Sequence, residues 1–317
     1  MAQGDLFSKR LVILTGKGGV GKSVVGAALA LAVAERGKRA LLIEVDAPLE
    51  AARHLGAAPV GTRPTEIRPG LFAVNLSPAG VMDEYVEGIV KIQLLARRIL
   101  ESPIYRRFFA AAPGLPELMV LGKIMVLEEA REGWSRRPRY DMVIVDAPAT
   151  GHGLAFLKVP IAADAAAPIG PIGANARRIL ELLRDPVRTA LVIVAIPEEM
   201  AVVEAAWFHH LAVEEVGMRP ALAVLNAAHE RRLTASQEAE VLRLSASGAT
   251  GRLARGVTLE AALAAARRHI RRRKMTRFYQ ARLKRDLALP LVTLPYYTEG
   301  EIGEDALRAM ARRLERP

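Results

Sequence analysis

The stretch Gly16-Lys17-Gly18-Gly19-Val20-Gly21-Lys22-Ser23 lies between a short apolar run, Arg10–Thr15, and an alanine- and leucine-rich stretch, Val24–Arg36. The apolar run predicts a buried strand, and the longer stretch predicts a helix that ends before Gly37. Glycines between a strand and a helix let the backbone wrap around a ligand and direct its N–H groups inward. The stretch therefore predicts a phosphate-binding loop of the Walker A pattern, with the positive end of the following helix facing the anion.

The side chains of this loop have distinct predicted roles. In a Walker A loop, the amine of Lys22 reaches the β- and γ-phosphates, and the hydroxyl of Ser23 binds Mg²⁺. A glycine-rich turn with incidental lysines is the alternative, and a full match between a strand and a helix argues against it. The expected cofactors are therefore ATP and Mg²⁺. The nucleotide-binding residues predicted in this stretch are Gly18, Gly19, Val20, Gly21, Lys22, Ser23 and Val24.

Further short apolar runs recur along the chain and alternate with helical stretches. Most are continuous rather than alternating, as expected for strands that are buried on both faces. Strands separated by helices predict an α/β fold with a doubly wound, mostly parallel sheet. The remaining predicted strands are Ala40–Val45, Leu71–Asn75, Met142–Val145, Ala190–Ala195, Ala221–Leu225 and Leu291–Leu294.

Residues 77–134 interrupt this alternation, because they contain no convincing strand. Val81–Leu100 has apolar residues at helical spacing, and Val120–Glu132 resumes the helical pattern after a break. We therefore predict one domain over residues 1–317, with a helical insertion subdomain over residues 77–134. A second irregular stretch, Pro160–Ala176, contains three prolines with glycines and alanines, and it predicts a mobile loop.

Two aspartates follow predicted strands. Asp46 comes after Ala40–Val45, and Asp146 comes after Met142–Val145. Ligands of open α/β sheets bind outside the carboxyl ends of the strands, so both carboxylates are expected beside the phosphate-binding loop. We predict Asp146 and Ser23 as the metal site and Asp46 as the group that orients the attacking water. The alternative for either aspartate is a helix N-cap or a turn.

Lys17 is not required in an ordinary Walker A loop. The pattern GKGGVGKS resembles the deviant Walker A loop of the nucleotide-driven dimeric ATPases, among them the Min, partition and arsenite-pump ATPases. The resemblance implies that Lys17 crosses a dimer interface to the partner's nucleotide, much as an arginine finger does. A surface lysine near a phosphate site is the alternative. The predicted catalytic residues are Lys17, Lys22 and Asp46.

The run DAPATGHG at residues 146–153 resembles switch II of the arsenite-pump and tail-anchored-protein-targeting ATPases, with His152 as a switch-loop residue or a packing residue. Later segments follow the same family in order. Asn226 matches an asparagine that reads adenine, Pro295 lies in the closing nucleotide loop, and Glu204 lies in a segment after the next strand. Switch I departs from the family, because Asp46-Ala47-Pro48-Leu49-Glu50 lacks the usual histidine and asparagine.

The resemblance implies Mg²⁺-dependent ATP hydrolysis that is coupled to dimer closure. The process driven by this closure would be either the targeting of a protein or membrane client or an anion-transport-like step. The expected partners are an identical or paralogous subunit and a hydrophobic client or membrane protein. Met82, Met119 and Met125 could line an adaptable groove in the insertion, and a core seam is the alternative. The competing function is that of a Min- or partition-type ATPase, which positions or releases a membrane- or DNA-associated partner. The switch II segment and Asn226 argue against this alternative.

The chain has no cysteine. This excludes disulfides, thiolate metal sites and cysteine nucleophiles, and it excludes the iron–sulfur reductases that carry a similar loop. No apolar run approaches the ~18–20 residues that span a bilayer. We therefore expect no integral membrane segment and a cytoplasmic location, with at most peripheral association at a membrane.

The chain has 45 Lys and Arg residues against 34 Asp and Glu residues, a net charge of +11. Ten basic residues and no acidic residue lie between Arg267 and Arg285, and without these ten the chain is nearly neutral. The excess charge therefore lies in one basic helix, and it is not by itself evidence for a nucleic-acid partner. This helix could meet an anionic membrane, an acidic partner or RNA, or it could be solvated and paired with acidic neighbours. Its apolar positions, predicted to pack on the body, are Met275, Tyr279, Leu283 and Leu287.

Overall fold

Eight strands form one sheet in the computed structural model, which describes residues 6–46, 50–89, 98, 102, 113–133, 136–253, 256–297 and 302–315. The strands are β1 Leu11–Thr15, β2 Ala40–Val45, β3 Thr65–Arg68, β4 Leu71–Leu76, β5 Met142–Asp146, β6 Thr189–Ala195, β7 Pro220–Ala228 and β8 Leu291–Pro295. The helices are α1 Lys22–Glu35, α2 Glu50–His54, α3 Pro78–Ile89, α4 Leu115–Glu129, α5 Thr150–Ala166, α6 Pro171–Arg184, α7 Glu199–Leu211, α8 Ala235–Ala246, α9 Leu259–Leu287 and α10 Glu304–Leu314.

The sheet order is β3-β4-β2-β5-β1-β6-β7-β8. All neighbouring strands are parallel except β3, which pairs antiparallel with β4 at the edge. Leu11 of β1 pairs with Val143 of β5 on one side and with Thr189 of β6 on the other. The doubly wound, mostly parallel sheet is therefore confirmed, and β1 delivers the glycine-rich loop to the middle of its carboxyl edge.

The core has two layers, one on each face of this sheet. The central strands β1, β2 and β5 are buried at every residue, as their continuous apolar runs predict. Helix α1 is buried from Val24 to Val33 and packs against β2, β5 and α10. Its alanines allow that close packing, so a helix that is apolar on every side becomes the centre of one layer.

All seven predicted strands are present, one with the predicted bounds and the others with ends that differ by at most three residues. The sequence did not indicate β3, because its four residues, TEIR, are polar and partly exposed. A short, charged edge strand carries little hydrophobic pattern, and such strands protect a sheet from pairing with another chain.

The prediction of a mobile loop over Pro160–Ala176 is wrong. Helix α5 continues through Pro160 to Ala166, and Pro171 begins α6 directly after Gly170, whose φ is +100°. Alanines around Pro160 favour the helix, and proline is well suited to the first turn of α6. Pro160 therefore lies within a helix and Pro171 at the start of one, and only Pro168 lies in the short connection between them.

The described part of residues 77–134 contains α3 and α4 and no strand. Residues 90–97, 99 and 100 of the long helix predicted there lie outside the described residues. Met82 and Met125 are buried, and Met119 is half-buried against the core. These methionines match the core-seam alternative rather than an open groove.

The basic helix is α9. Leu283 and Leu287 are buried, and Tyr279 is half-buried, as predicted, whereas Met275 is 42% exposed. Near the middle of the helix, Arg273 pairs with Glu238 of α8. The basic side is therefore partly paired with acidic neighbours. Among the described helices, including this one, none is both long and apolar enough to cross a bilayer.

Candidate active site

The glycine-rich loop packs closely against residues of β6 and β7. A Cβ atom on Gly16 would lie 2.2 Å from the Val194 carbonyl oxygen. Gly21, with φ +87°, caps α1, and a Cβ there would lie 2.3 Å from the Asn226 side-chain nitrogen. Only glycine fits at both positions, so the packing of β6 and β7 determines the path of the loop.

The amine of Lys22 folds back onto this loop. It donates to the carbonyl oxygens of Gly16 at 3.2 Å and Lys17 at 3.4 Å. Burial lowers the pKa of the Lys22 amine from its ordinary value, and nearby Asp146 offsets part of that effect. A partly desolvated cation at the centre of a loop is suited to bind an anion, because an anion restores the electrostatic interactions that burial removes.

Ser23 and Asp146 meet as the sequence predicts. The Ser23 hydroxyl donates to Asp146 Oδ2 at 2.6 Å, and Asp146 is only 5% exposed. The register of β1 with β5 pairs Leu14 with Asp146, which brings the carboxylate beside the loop. These two oxygen donors fit Mg²⁺, which usually keeps several waters and binds one or two carboxylates together with phosphate oxygens. Within the described residues there is no cluster of three carboxylates or histidines that could hold a metal alone.

Asp46 is exposed directly after β2 and adopts a left-handed conformation, with φ +49°. It lines a cavity of about 650 Å³ together with Lys22, Ser23 and Asp146. The structure thus places the predicted water-orienting carboxylate and the predicted metal site on one cavity. Residues 47–49, the remainder of switch I before Glu50, lie outside the described residues.

The same cavity extends away from the loop towards the helical region. His152 and Phe156 of α5 line one part of its wall, and Glu117 and Val120 of α4 line another. His152 is exposed in the first turn of α5, which argues against the packing alternative for this residue. The predicted phosphate site and the start of α4 therefore share one continuous space.

Asn226 and Pro295 lie at the same sheet edge. Asn226 is inside β7 rather than at its end, because β7 continues to Ala228 past a bulge at Ala227, where φ is +54°. Its amide donates to the Val20 carbonyl at 2.9 Å, so it braces the phosphate-binding loop. Pro295 ends β8 opposite Ala228. Residues 298–301 of the predicted closing loop lie outside the described residues.

Lys17 has a partner to which the sequence assigned no role. Its amine lies 2.9 Å from Glu204 Oε1, and the Thr150 hydroxyl donates to Glu204 Oε2 at 3.0 Å. The hydrogen bond from Lys17 is the main cause that holds the pKa of Glu204 below its ordinary value. The resemblance of its segment to the family could have drawn attention to Glu204. Only the fold shows that Glu204 contacts the glycine-rich loop.

Comparison with known proteins matches residues 9–167, half of the chain, to the family described as anion-transporting ATPase. The chain is 31% identical to the ATPase BagA of Mycobacterium tuberculosis over 206 residues, which cover 63% of this chain and 59% of that protein. It is 31% identical to the arsenical pump-driving ATPase of Acidiphilium multivorum over 232 residues, which cover 68% of this chain and 39% of that protein. The chain thus spans 39% to 59% of the length of these relatives.

The matched region contains the glycine-rich loop, both aspartates that follow strands, and the start of α5. It therefore covers Lys22, Ser23 and Asp146, which the fold brings together at the carboxyl edge of a parallel sheet. The chain belongs to the anion-transporting ATPase family.

Proposed function

We propose that this chain is a P-loop ATPase that requires Mg²⁺ and couples ATP hydrolysis to nucleotide-driven closure of a dimer. The observation that carries the proposal is the grouping of Lys22, Ser23, Asp46 and Asp146 on one cavity, while the amine of Lys17 points to Glu204 instead. The first four residues are proposed to bind the nucleotide and Mg²⁺ and to orient the attacking water within one subunit, and full turnover is proposed to need Lys17 of a second subunit. Lys17 then remains available to a second subunit, as its resemblance to the signature lysine of dimeric ATPases implies.

In this proposal the loop holds the triphosphate through its backbone N–H groups and the start of α1. Lys22 exchanges its bonds to the Gly16 and Lys17 carbonyls for the β- and γ-phosphates. Ser23 and Asp146 hold Mg²⁺, which neutralises phosphate charge when it is bound. Asn226 keeps the loop in place through Val20, and Asn226 and Pro295 are proposed to contact the base.

Asp46 is proposed to orient the attacking water, and its replacement tests the whole scheme. We expect Asp46→Asn to bind Mg·ATP with nearly normal affinity but to hydrolyse it about 10²-fold more slowly, because the amide accepts a proton poorly. The variant should accumulate as an ATP-bound dimer that light scattering detects. Asp141→Asn, at the opposite end of β5, is the control. Normal turnover in Asp46→Asn would contradict the proposed role.

The pKa of Lys22 makes nucleotide binding dependent on pH. Burial lowers this pKa below 10.5 in the nucleotide-free protein, and bound phosphates raise it again because they favour the charged amine. ATP affinity should therefore be full below the lowered pKa and should decrease as the pH rises towards and past it. Calorimetry in buffers of different ionisation enthalpy should show proton uptake on ATP binding in alkaline solution. Binding without proton uptake throughout that range would refute the linkage.

The partner of the dimer is proposed to be a second copy or a paralogous subunit, and the driven process to be client targeting or an anion-transport-like step. The relatives named as arsenical pump-driving ATPases support a transport-like role, whereas the lack of cysteine argues against thiolate binding of a metalloid by this chain. The cavity offers a path for coupling, because it joins the phosphate site to α4 of the proposed insertion. Co-purification with the Asp46→Asn variant would identify the client.

A further inference from the structure

One carboxylate joins the phosphate-binding loop to the start of α5. Glu204 lies on α7, and its Oε1 is 2.9 Å from the Lys17 amine. Its Oε2 accepts a hydrogen bond of 3.0 Å from Thr150, the first residue of α5. The backbone N–H of Thr150 in turn donates to the Gly16 carbonyl at 3.1 Å. Three segments that are far apart in sequence therefore meet around Glu204.

This arrangement gives Lys17 a partner within its own subunit. The Lys17 and Glu204 side chains are 37% and 29% exposed, so the pair lies at the surface, where a second subunit can reach it. The Lys17 amine cannot stay 2.9 Å from Glu204 and also extend across an interface to a phosphate. The ion pair within the subunit and the proposed contact with the partner's nucleotide therefore exclude each other.

We propose that Glu204 is a positioning residue that holds Lys17 within its own subunit until an ATP-bound partner displaces it. This inference rests on the proposed dimer closure and adds that the Lys17–Glu204 ion pair competes with the contact between Lys17 and the partner's nucleotide. Thr150 belongs to the switch II segment, and its hydroxyl orients the carboxylate towards Lys17. Movement of switch II when nucleotide binds would thus weaken the hold on Lys17. Glu204 acts only through Lys17 and needs no contact with the nucleotide of its own subunit.

The test uses Glu204→Gln, which keeps the shape of the side chain but removes its charge. Glu199→Gln is the matched control, because Glu199 is exposed near the start of the same helix. The first measurement is the rate of Lys17 acylation by acetic anhydride in nucleotide-free protein, followed by mass spectrometry. An exposed ion pair contributes modestly, so we expect Glu204→Gln to increase the rate about two- to fivefold. The control should not change it.

The second measurement is the concentration of a non-hydrolysable ATP analogue that produces half-maximal dimer in light scattering. We expect Glu204→Gln to lower this concentration about two- to fivefold, since Lys17 is no longer held back. The Asp46 and Lys22 sites are unchanged in this variant, so nucleotide binding to the monomer should stay the same.

Two results would overturn the inference. One is an unchanged Lys17 acylation rate in Glu204→Gln, which would mean that the ion pair does not protect Lys17. The other is an unchanged or higher analogue concentration for dimer formation, which would mean that Glu204 is neutral or required in the closed state. If wild-type protein forms no dimer with the ATP analogue, the proposed dimer closure is wrong. The proposed competition between Glu204 and the partner's nucleotide for Lys17 would then be wrong too, whatever the acylation rate shows.

Discussion

Lys22→Ala should reduce ATP turnover about 10³-fold or more, the largest loss that we expect from a single substitution. Among the described residues that line the cavity, Lys22 is the only lysine or arginine. Its amine is partly desolvated and, among the described residues, donates to two loop carbonyls and forms no ion pair, so it can turn to the phosphates without breaking one. Without that charge, the triphosphate loses its main electrostatic partner both on binding and in the transition state.

Lys38→Ala is the control, because Lys38 is exposed beyond α1, at the opposite end of that helix from the loop. Turnover by phosphate release and ATP binding by calorimetry should both decrease in Lys22→Ala and remain normal in Lys38→Ala. Thermal unfolding should show that both variants are folded, since Lys22 makes only two weak hydrogen bonds in the nucleotide-free protein. Undiminished hydrolysis in the folded Lys22→Ala variant would reject the P-loop assignment of this residue.

Lys17→Ala should abolish ATP-dependent dimer formation and lower turnover about 10³-fold, as expected for a charge that acts on a partner's nucleotide like an arginine finger. Binding of ATP to the monomer should change little, because Lys22, Ser23 and Asp146 remain in place. This separation of binding from turnover distinguishes the effect from that of Lys22→Ala. Light scattering with a non-hydrolysable ATP analogue measures the dimer, and calorimetry measures monomer affinity.

The fold should tolerate Lys17→Ala, because its partner Glu204 is partly exposed and keeps its hydrogen bond to Thr150. Lys9→Ala is the matched control at the opposite end of β1, where the amine donates to the Pro186 carbonyl. Equal amounts of dimer in wild type and Lys17→Ala would exclude the role across the interface. A large loss of monomer affinity in Lys17→Ala would place its main effect in its own subunit.

Most of the fold could be predicted from local pattern. The strands of the parallel sheet are continuous apolar runs, and such runs persist wherever a strand is buried on both faces. The pattern failed for β3, which is short, polar and partly exposed. It also failed at Pro160, since the helical tendency of neighbouring alanines and the burial of this proline outweigh its preference for turns.

The sequence by itself determined the chemistry of the loop, because a strand, a glycine-rich turn and a helix place Lys22 and Ser23 through neighbouring residues alone. Only the tertiary structure decided which distant side chains meet that loop. The pairing of β1 with β5 brings Asp146 to Ser23, and the position of β7 brings Asn226 to Val20. The packing of α5 and α7 brings Glu204 to Lys17. Such contacts depend on the arrangement of whole elements, for which no local pattern of residues carries a signal.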